Sequence, residues 1–171
     1  NGTVLLFRWR WVFLWVGASM QQAVDIASAL CRRFEGLYLR PYLCPAGVPT
    51  IGYGTTAYEN NIRVTLADPP ISPARAESLL QWELRTVCLP AVQRLCPTAT
   101  TPERVAALMD FAFNLGIGAL SSSTMRQYVL REDWPAAAAE LNRWVYSRGK
   151  VLKGLVLRRA AEAALMATVP Q

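Results

Sequence analysis

Apolar positions change period along this chain, and each change marks an element. From residue 21 to 34, Val24, Ala27, Leu30, Cys31 and Phe34 recur at spacings of three and four, one stripe of an amphipathic helix. Gly36 stops it. Residues 37–43 and 48–53 then read as short strands around a turn rich in Pro and Gly (Pro41, Pro45, Gly47, Pro49). Asn60-Asn61 predicts a turn before a third strand at 62–66, and 67–70 is a linker. Beyond it the text is helical. Ser72 followed by Pro73 caps a long helix over 73–87. Pro90 interrupts, and Pro97 ends the next short piece. Thr101-Pro102-Glu103 opens a helix over 102–115 that Gly116 closes. Val105, Leu108, Met109, Ala112, Phe113 and Leu115 make it apolar on most sides, which predicts the central core helix. Ser122 or Ser123 caps a helix through Leu130, Asp133 caps one through about Trp144, and the last runs over about 154–167. The order is a small β lobe followed by a larger all-helical lobe.

Residues 4–18 break this pattern. They are apolar and Trp-rich, but Arg8 and Arg10 interrupt them. A spanning helix needs about 20 apolar residues without mid-span charge, so this stretch is too short and too charged. Three readings fit: a signal-like segment, a short anchor at a membrane surface, or an extension upstream of a start at Met20. We therefore divide the chain into an N-terminal segment, 1–19, and a domain, 20–171.

Composition narrows the chemistry. At 171 residues the chain fits one domain with two lobes. A net charge of +6 favours anionic partners such as cell wall or anionic lipid. No Lys/Arg run is long enough for a nucleic-acid tail, so no nucleic-acid partner is expected. The chain has no His, which excludes Ser-His-Asp and Cys-His catalysis and His-based zinc sites. Its four cysteines (31, 44, 88, 96) contain no Cys-x-x-Cys pair, so no metal is expected.

The candidate site lies in residues 33–56. Glu35 ends the first helix, where the carbonyl-rich pole disfavours ionisation, a sound place for an acid meant to keep its proton. Cys44 follows in the turn and Thr50 in the second strand. One acid from a helix end and two polar groups from a hairpin can converge on one cleft. Taken singly, Glu35 reads equally as a solvated terminal residue, Cys44 as an inert thiol or half of a disulfide, and Thr50 as an ordinary strand residue.

These residues and their spacing resemble the phage-type lysozymes, the endolysin muramidases of glycoside hydrolase family 24. That family's Glu-x8-Asp-x5-Thr pattern reads here as Glu35-x8-Cys44-x5-Thr50, followed by Ile51-Gly52-Tyr53-Gly54. Residues 107–116, with Phe111, Phe113 and Asn114, look like the family's core helix, and Ser123-Thr124 like the next cap. Trp144, Gly149-Lys150, Gly154-Leu155, Arg158-Arg159 and Glu162 look like its closing text, so the resemblance covers residues 21 to about 166. Two departures stand out. Cys44 replaces the usual Asp, as in a subset of phage endolysins, some of which have a membrane-arrested N-terminus and control by disulfide exchange. Thr55 stands where many relatives have His, which puts a His–carboxylate strut between the lobes in doubt.

The resemblance implies an α+β, lysozyme-like fold and a lysozyme that cleaves the β-1,4 bond between N-acetylmuramic acid and N-acetylglucosamine in peptidoglycan. It implies a monomer that needs no cofactor and is made in the host cytoplasm. It acts in the periplasm, with inner-membrane association through residues 4–18. Glu35 is then the general acid, and Cys44, as thiolate, the base or nucleophile beside Thr50. The site is expected to lower the Cys44 pKa, with Arg33 or Arg40 as helpers. Asn114 either binds the sugar N-acetyl group or caps the lobe junction, and Arg158-Arg159 are expected at the surface or in packing. A structural Cys88–Cys96 disulfide is expected across the Pro90 break. Cys31, one turn before Glu35, either pairs with Cys44 in a silencing disulfide or is a small core residue. The rival readings are a lytic transglycosylase, a membrane-permeabilising protein and a non-catalytic cell-wall binder.

Overall fold

The computed structural model describes residues 3–169, with side chains for 18–169. Helix α1 (Thr3–Phe34) passes without a break through Gly17-Ala18-Ser19, so no helix boundary falls near residue 20. One glycine costs a helix only about 1 kcal/mol, and neither this stretch nor its neighbours contain proline. The stripe read from the sequence buries Val24, Ala27, Leu30 and Cys31, together with Ala23, against the helical lobe. The expected membrane contact rests on the side chains of residues 4–17, which lie outside the described set. Among the described residues no helix is long and apolar enough to cross a membrane.

Strands β1 (Tyr38–Leu43) and β2 (Pro49–Gly52) form the expected antiparallel hairpin, with Tyr42 opposite Thr50 and Leu43 opposite Pro49. The third strand is not formed. Asn60-Asn61 turns the chain as expected, with Asn61 at φ 61°, but only isolated bridges follow, Ala57 to Arg63 and Ile51 to Thr55. Asp68 is the reason. Its carboxylate accepts from the Thr65 N–H and hydroxyl and from the Tyr58 hydroxyl, which bends the segment away after one pairing.

Ser72 caps α2 (Pro73–Glu83) by accepting from the Arg75 N–H at 3.1 Å. The helix does not break at Pro90. It widens into a π turn (Leu84–Cys88), in which the Leu89 N–H reaches the Leu84 carbonyl, and continues as α3 (Leu89–Leu95). The wider turn accommodates a residue without an N–H. This overturns the Cys88–Cys96 disulfide. Eight residues of continuous helix separate the two by about 12 Å, beyond disulfide reach, and all four cysteines are free thiols.

Helix α4 (Pro102–Leu115) is the core, buried without interruption from Arg104 to Ala112. Short helices α5 (Ile117–Ser122) and α6 (Thr124–Leu130, capped by Ser123) follow. Helix α7 (Trp134–Leu141, capped by Asp133) ends three residues before Trp144. An unexpected hairpin, β3 (Tyr146–Ser147) and β4 (Lys150–Val151), turns at Arg148-Gly149, both with positive φ. Helix α8 (Lys153–Met166) then packs across α4 and α7.

Candidate active site

Glu35 closes the last turn of α1, its N–H bonded to the Cys31 carbonyl at 2.8 Å. Its side chain is 27% exposed, and Oε1 accepts from Arg158 Nη1 at 2.5 Å. Of the two places expected for Arg158, surface or packing, the structure shows packing. Arg158 is 2% exposed and Arg159 is fully buried. Arg158 forks onto Asp110 of α4 with two bonds of 2.8 Å, from Nε to Oδ2 and from Nη2 to Oδ1. The fork locks the guanidinium and aims its third nitrogen at Glu35. Glu35 is thus gripped by one oxygen while the other is left for the cleft.

Behind this pair the polar groups are dry. Burial opposes the charge of Asp110, but the hydrogen bonds and charge of Arg158 outweigh it and hold the carboxyl below its usual range. Cys31 donates to Asp110 Oδ1 at 3.3 Å, and burial and the Asp110 charge push its thiol far above the ordinary range. Cys31 therefore spends its thiol on Asp110, and no disulfide to Cys44 is formed. Asn114 accepts from Arg159 Nη2 at 3.0 Å, an assignment to the α4–α8 junction.

The hairpin supplies the other side. Cys44 opens a turn in which its carbonyl accepts from the Gly47 N–H at 2.8 Å. Gly47, at φ 76°, folds that turn back over the sulfur. The backbone amides of Val48 and Ala46, then the Thr50 hydroxyl, lie beside the sulfur and lower the thiol pKa. The helpers are amide groups rather than Arg33 or Arg40. Thr50 is 3% exposed and donates its hydroxyl proton to the Val48 carbonyl at 2.9 Å. Tyr42 ties the two sides together. Burial, then Tyr38, Glu35 and Cys44, raise its phenol pKa, so both Glu35 and Cys44 lie within its electrostatic reach. Across the cleft mouth, Arg148 Nη2 donates to the Pro45 carbonyl at 3.1 Å.

One cleft carboxyl was not singled out from sequence. Glu83, at the end of α2, has no hydrogen-bond or ion-pair partner among the described residues and is half-buried. Burial, then the nearby Glu35, raise it to about 7. It lines a cavity of about 160 Å³ with Thr56, Tyr58, Asn61, Trp82 and Val87. Thr55, in the place where many relatives carry His, is buried and bonds only backbone-to-backbone with Ile51, so no strut reaches Glu83. Asp110 also escaped notice, although a charge inside an otherwise apolar helix is the usual signal of a buried ion pair. No group of three His, Cys, Asp or Glu side chains among the described residues is arranged to hold a metal ion.

The phage lysozyme family model matches residues 32–162. The chain belongs to the phage lysozyme family. It is 37% identical over 139 residues to an endolysin of Bacillus phage B103, covering 81% of this chain and 51% of that protein. It is 34% identical over 131 residues to the SAR-endolysin of Escherichia phage Mu, covering 77% and 72%. Among solved structures, the muramidase domain of SpmX from Asticaccaulis excentricus superimposes with a TM-score of 0.71 at 30% identity, covering 84% and 95%. The chain spans about half the length of the Bacillus phage relatives it matches. The fold is the α+β, lysozyme-like one, with its small sheet beside a larger helical lobe.

Proposed function

We propose that this chain is an endolysin muramidase that hydrolyses the β-1,4 bond between N-acetylmuramic acid and N-acetylglucosamine in bacterial peptidoglycan. The observation that carries the reading is the pairing of Glu35, held by Arg158, with a thiol whose pKa is lowered on the facing hairpin. Hydrolysis needs a proton for the leaving oxygen and an activated water on the other face. Glu35 delivers the proton from its free oxygen. Cys44, as thiolate, draws a proton from water that Thr50 helps to place. The thiolate serves better as base than as nucleophile, because a thioglycoside would leave slowly. Membership of the family and the name of the SpmX domain support the substrate class. The enzyme works as a monomer without a cofactor. It reaches the periplasm from the host cytoplasm, and residues 4–18 associate with the inner membrane on the way.

Release of reducing ends from purified Gram-negative peptidoglycan tests the reading. Glu35→Gln and Cys44→Ala are each expected to cost about 10²–10⁴-fold in kcat, the usual weight of a general acid or base. A 1,6-anhydro product would instead make the chain a lytic transglycosylase. Binding without any released sugar would make it a cell-wall binder.

A further inference from the structure

The cavity beside Glu83 has no part in the proposed reaction. It holds about 160 Å³, room for about five waters at about 30 Å³ each. That suits the end of a short aliphatic chain and is too small for a sugar ring with its substituents. Thr56, Asn61 and Val87 are exposed at its rim, and Tyr58, Trp82 and Glu83 are half-buried within it. The charge of Glu35 reaches Glu83, so the cavity lies close to the cleft.

The sign of an occupant follows from what Glu83 lacks. The guanidiniums of α1, α2 and the π turn that stand nearest in the chain are engaged elsewhere. Arg32 pairs with Glu77 at 2.7 Å, Arg75 forks onto Glu59 at 2.6 and 2.7 Å, and Arg85 donates to Gln81 Oε1 at 3.3 Å. Tyr58 donates its hydroxyl proton to Asp68 Oδ2 at 2.8 Å, which leaves Glu83 no donor from that side. A half-buried carboxylate without donors is costly, and a cation entering the cavity offsets that cost. A divalent metal ion needs about six oxygens, and no group of three metal-binding side chains is found among the described residues. An ammonium needs only three acceptors. The lining carries acceptors of the right kind in the Glu83 carboxylate, the Thr56 hydroxyl and the Asn61 side-chain carbonyl. Two aromatic residues, Tyr58 and Trp82, complete a lining that suits a cation on an apolar stem.

We propose that this cavity is a subsite for an alkylammonium, a primary amine at the end of a short aliphatic chain, with Glu83 as its counter-ion. Two sources can bring that group to the cleft: the amine-bearing side chain of a peptidoglycan stem peptide, and a free aliphatic amine. The first source rests on the muramidase reading, and the second does not. A stem-peptide amine enters the cavity while its glycan strand lies in the cleft, and a carboxylate on the same carbon stays at the solvent rim. The contact is the same before and during bond cleavage, so it acts on KM rather than on kcat.

Butylammonium is the probe, titrated into the unaltered chain at about pH 8, where the amine keeps its proton and Glu83 has lost its own. ¹H–¹³C NMR reads the Val87 methyls and the Trp82 ring, whose signals are expected to move and saturate. Butanol, the neutral analogue, is expected to bind at least about tenfold more weakly, and Glu83→Gln to weaken butylammonium by a similar factor. No movement, or equal affinity for the alcohol, overturns the proposal even if Glu83→Gln does not fold. Undiminished butylammonium binding in a folded Glu83→Gln overturns it as well. Sacculi whose free amines have been acetylated separate the sources. A wild-type KM raised about three- to tenfold, with kcat within about twofold and no such rise in Glu83→Gln, assigns the cavity to the stem peptide. An unchanged wild-type KM overturns that source and leaves the free amine as the occupant. If wild type releases no reducing sugar, the muramidase reading fails, and the butylammonium titration alone decides on the cavity.

Discussion

At the scale of single residues, the two cysteines nearest the cleft differ because of what surrounds their sulfurs. Cys44 is partly exposed and lies beside the backbone amides of Val48 and Ala46, so its thiolate is favoured. Cys31 is buried against a carboxylate, so its thiolate is strongly disfavoured. A disulfide-exchange reagent is therefore expected to label Cys44 in the native protein at least about tenfold faster than Cys31, Cys88 or Cys96, read by mass spectrometry of timed samples. Equal rates would remove the basis for a thiolate at Cys44. Arg158 is equally specific. Lysine cannot fork onto Asp110 and reach Glu35 together, so Arg158→Lys should lose about 2 kcal/mol in urea unfolding and at least about tenfold in kcat. Glu35, Cys44 and Thr50 were legible because a fixed spacing ties them to a helix end and a hairpin. The roles of Asp110 and Arg158 were not, since their contacts join residues 48 and 123 positions apart and no local pattern records that.

The elements show where reading by period works and where it stops. Helices α4 and α8 were found within a residue or two at either end, because each has a long apolar repeat and a clear N-terminal or C-terminal signal. The hairpin β3–β4 was missed, since strands of two residues contain no alternation to read. The π turn was missed because proline was taken as a break, when one extra residue per turn makes room for it. Gly52 is a position where the element dictates the residue. It sits at φ 67° at the end of β2, and a Cβ there would stand 3.4 Å from that of Ala76 on α2. Gly52→Ala puts an alanine into a left-handed conformation while the hairpin has to keep its seat on α2. The expected loss is about 1–2 kcal/mol by chemical denaturation. An unchanged midpoint would mean that the hairpin is not held against α2 as described.

For the molecule as a whole, the question is what ties the two lobes together when a histidine strut is missing. Part of the answer lies in α1 and α2. Arg32 pairs with Glu77 at 2.7 Å, and Ser28 and Gln81 join the same network. The cost lies in Glu83, left half-buried at the junction without a cation. Its folded pKa of about 7 lies above the ordinary 4.5, so the folded state binds the extra proton. Stability is then unaffected by this group below about pH 4.5, falls as pH rises toward about 7, and stays at the lower level above that. Glu83→Gln removes the charge and keeps the shape. It should match wild type at pH 4.5 and melt about 2–6 °C higher at pH 8, equivalent to about 1–2 kcal/mol in a chain of this size. Thermal unfolding of both proteins at the two pH values decides it. A gain that is the same at both would assign the effect to packing, and no gain would mean that water in the 160 Å³ cavity already solvates the carboxylate. A gain confined to high pH would show that this chain tolerates an uncompensated charge between its lobes and becomes less stable as the pH rises toward 7.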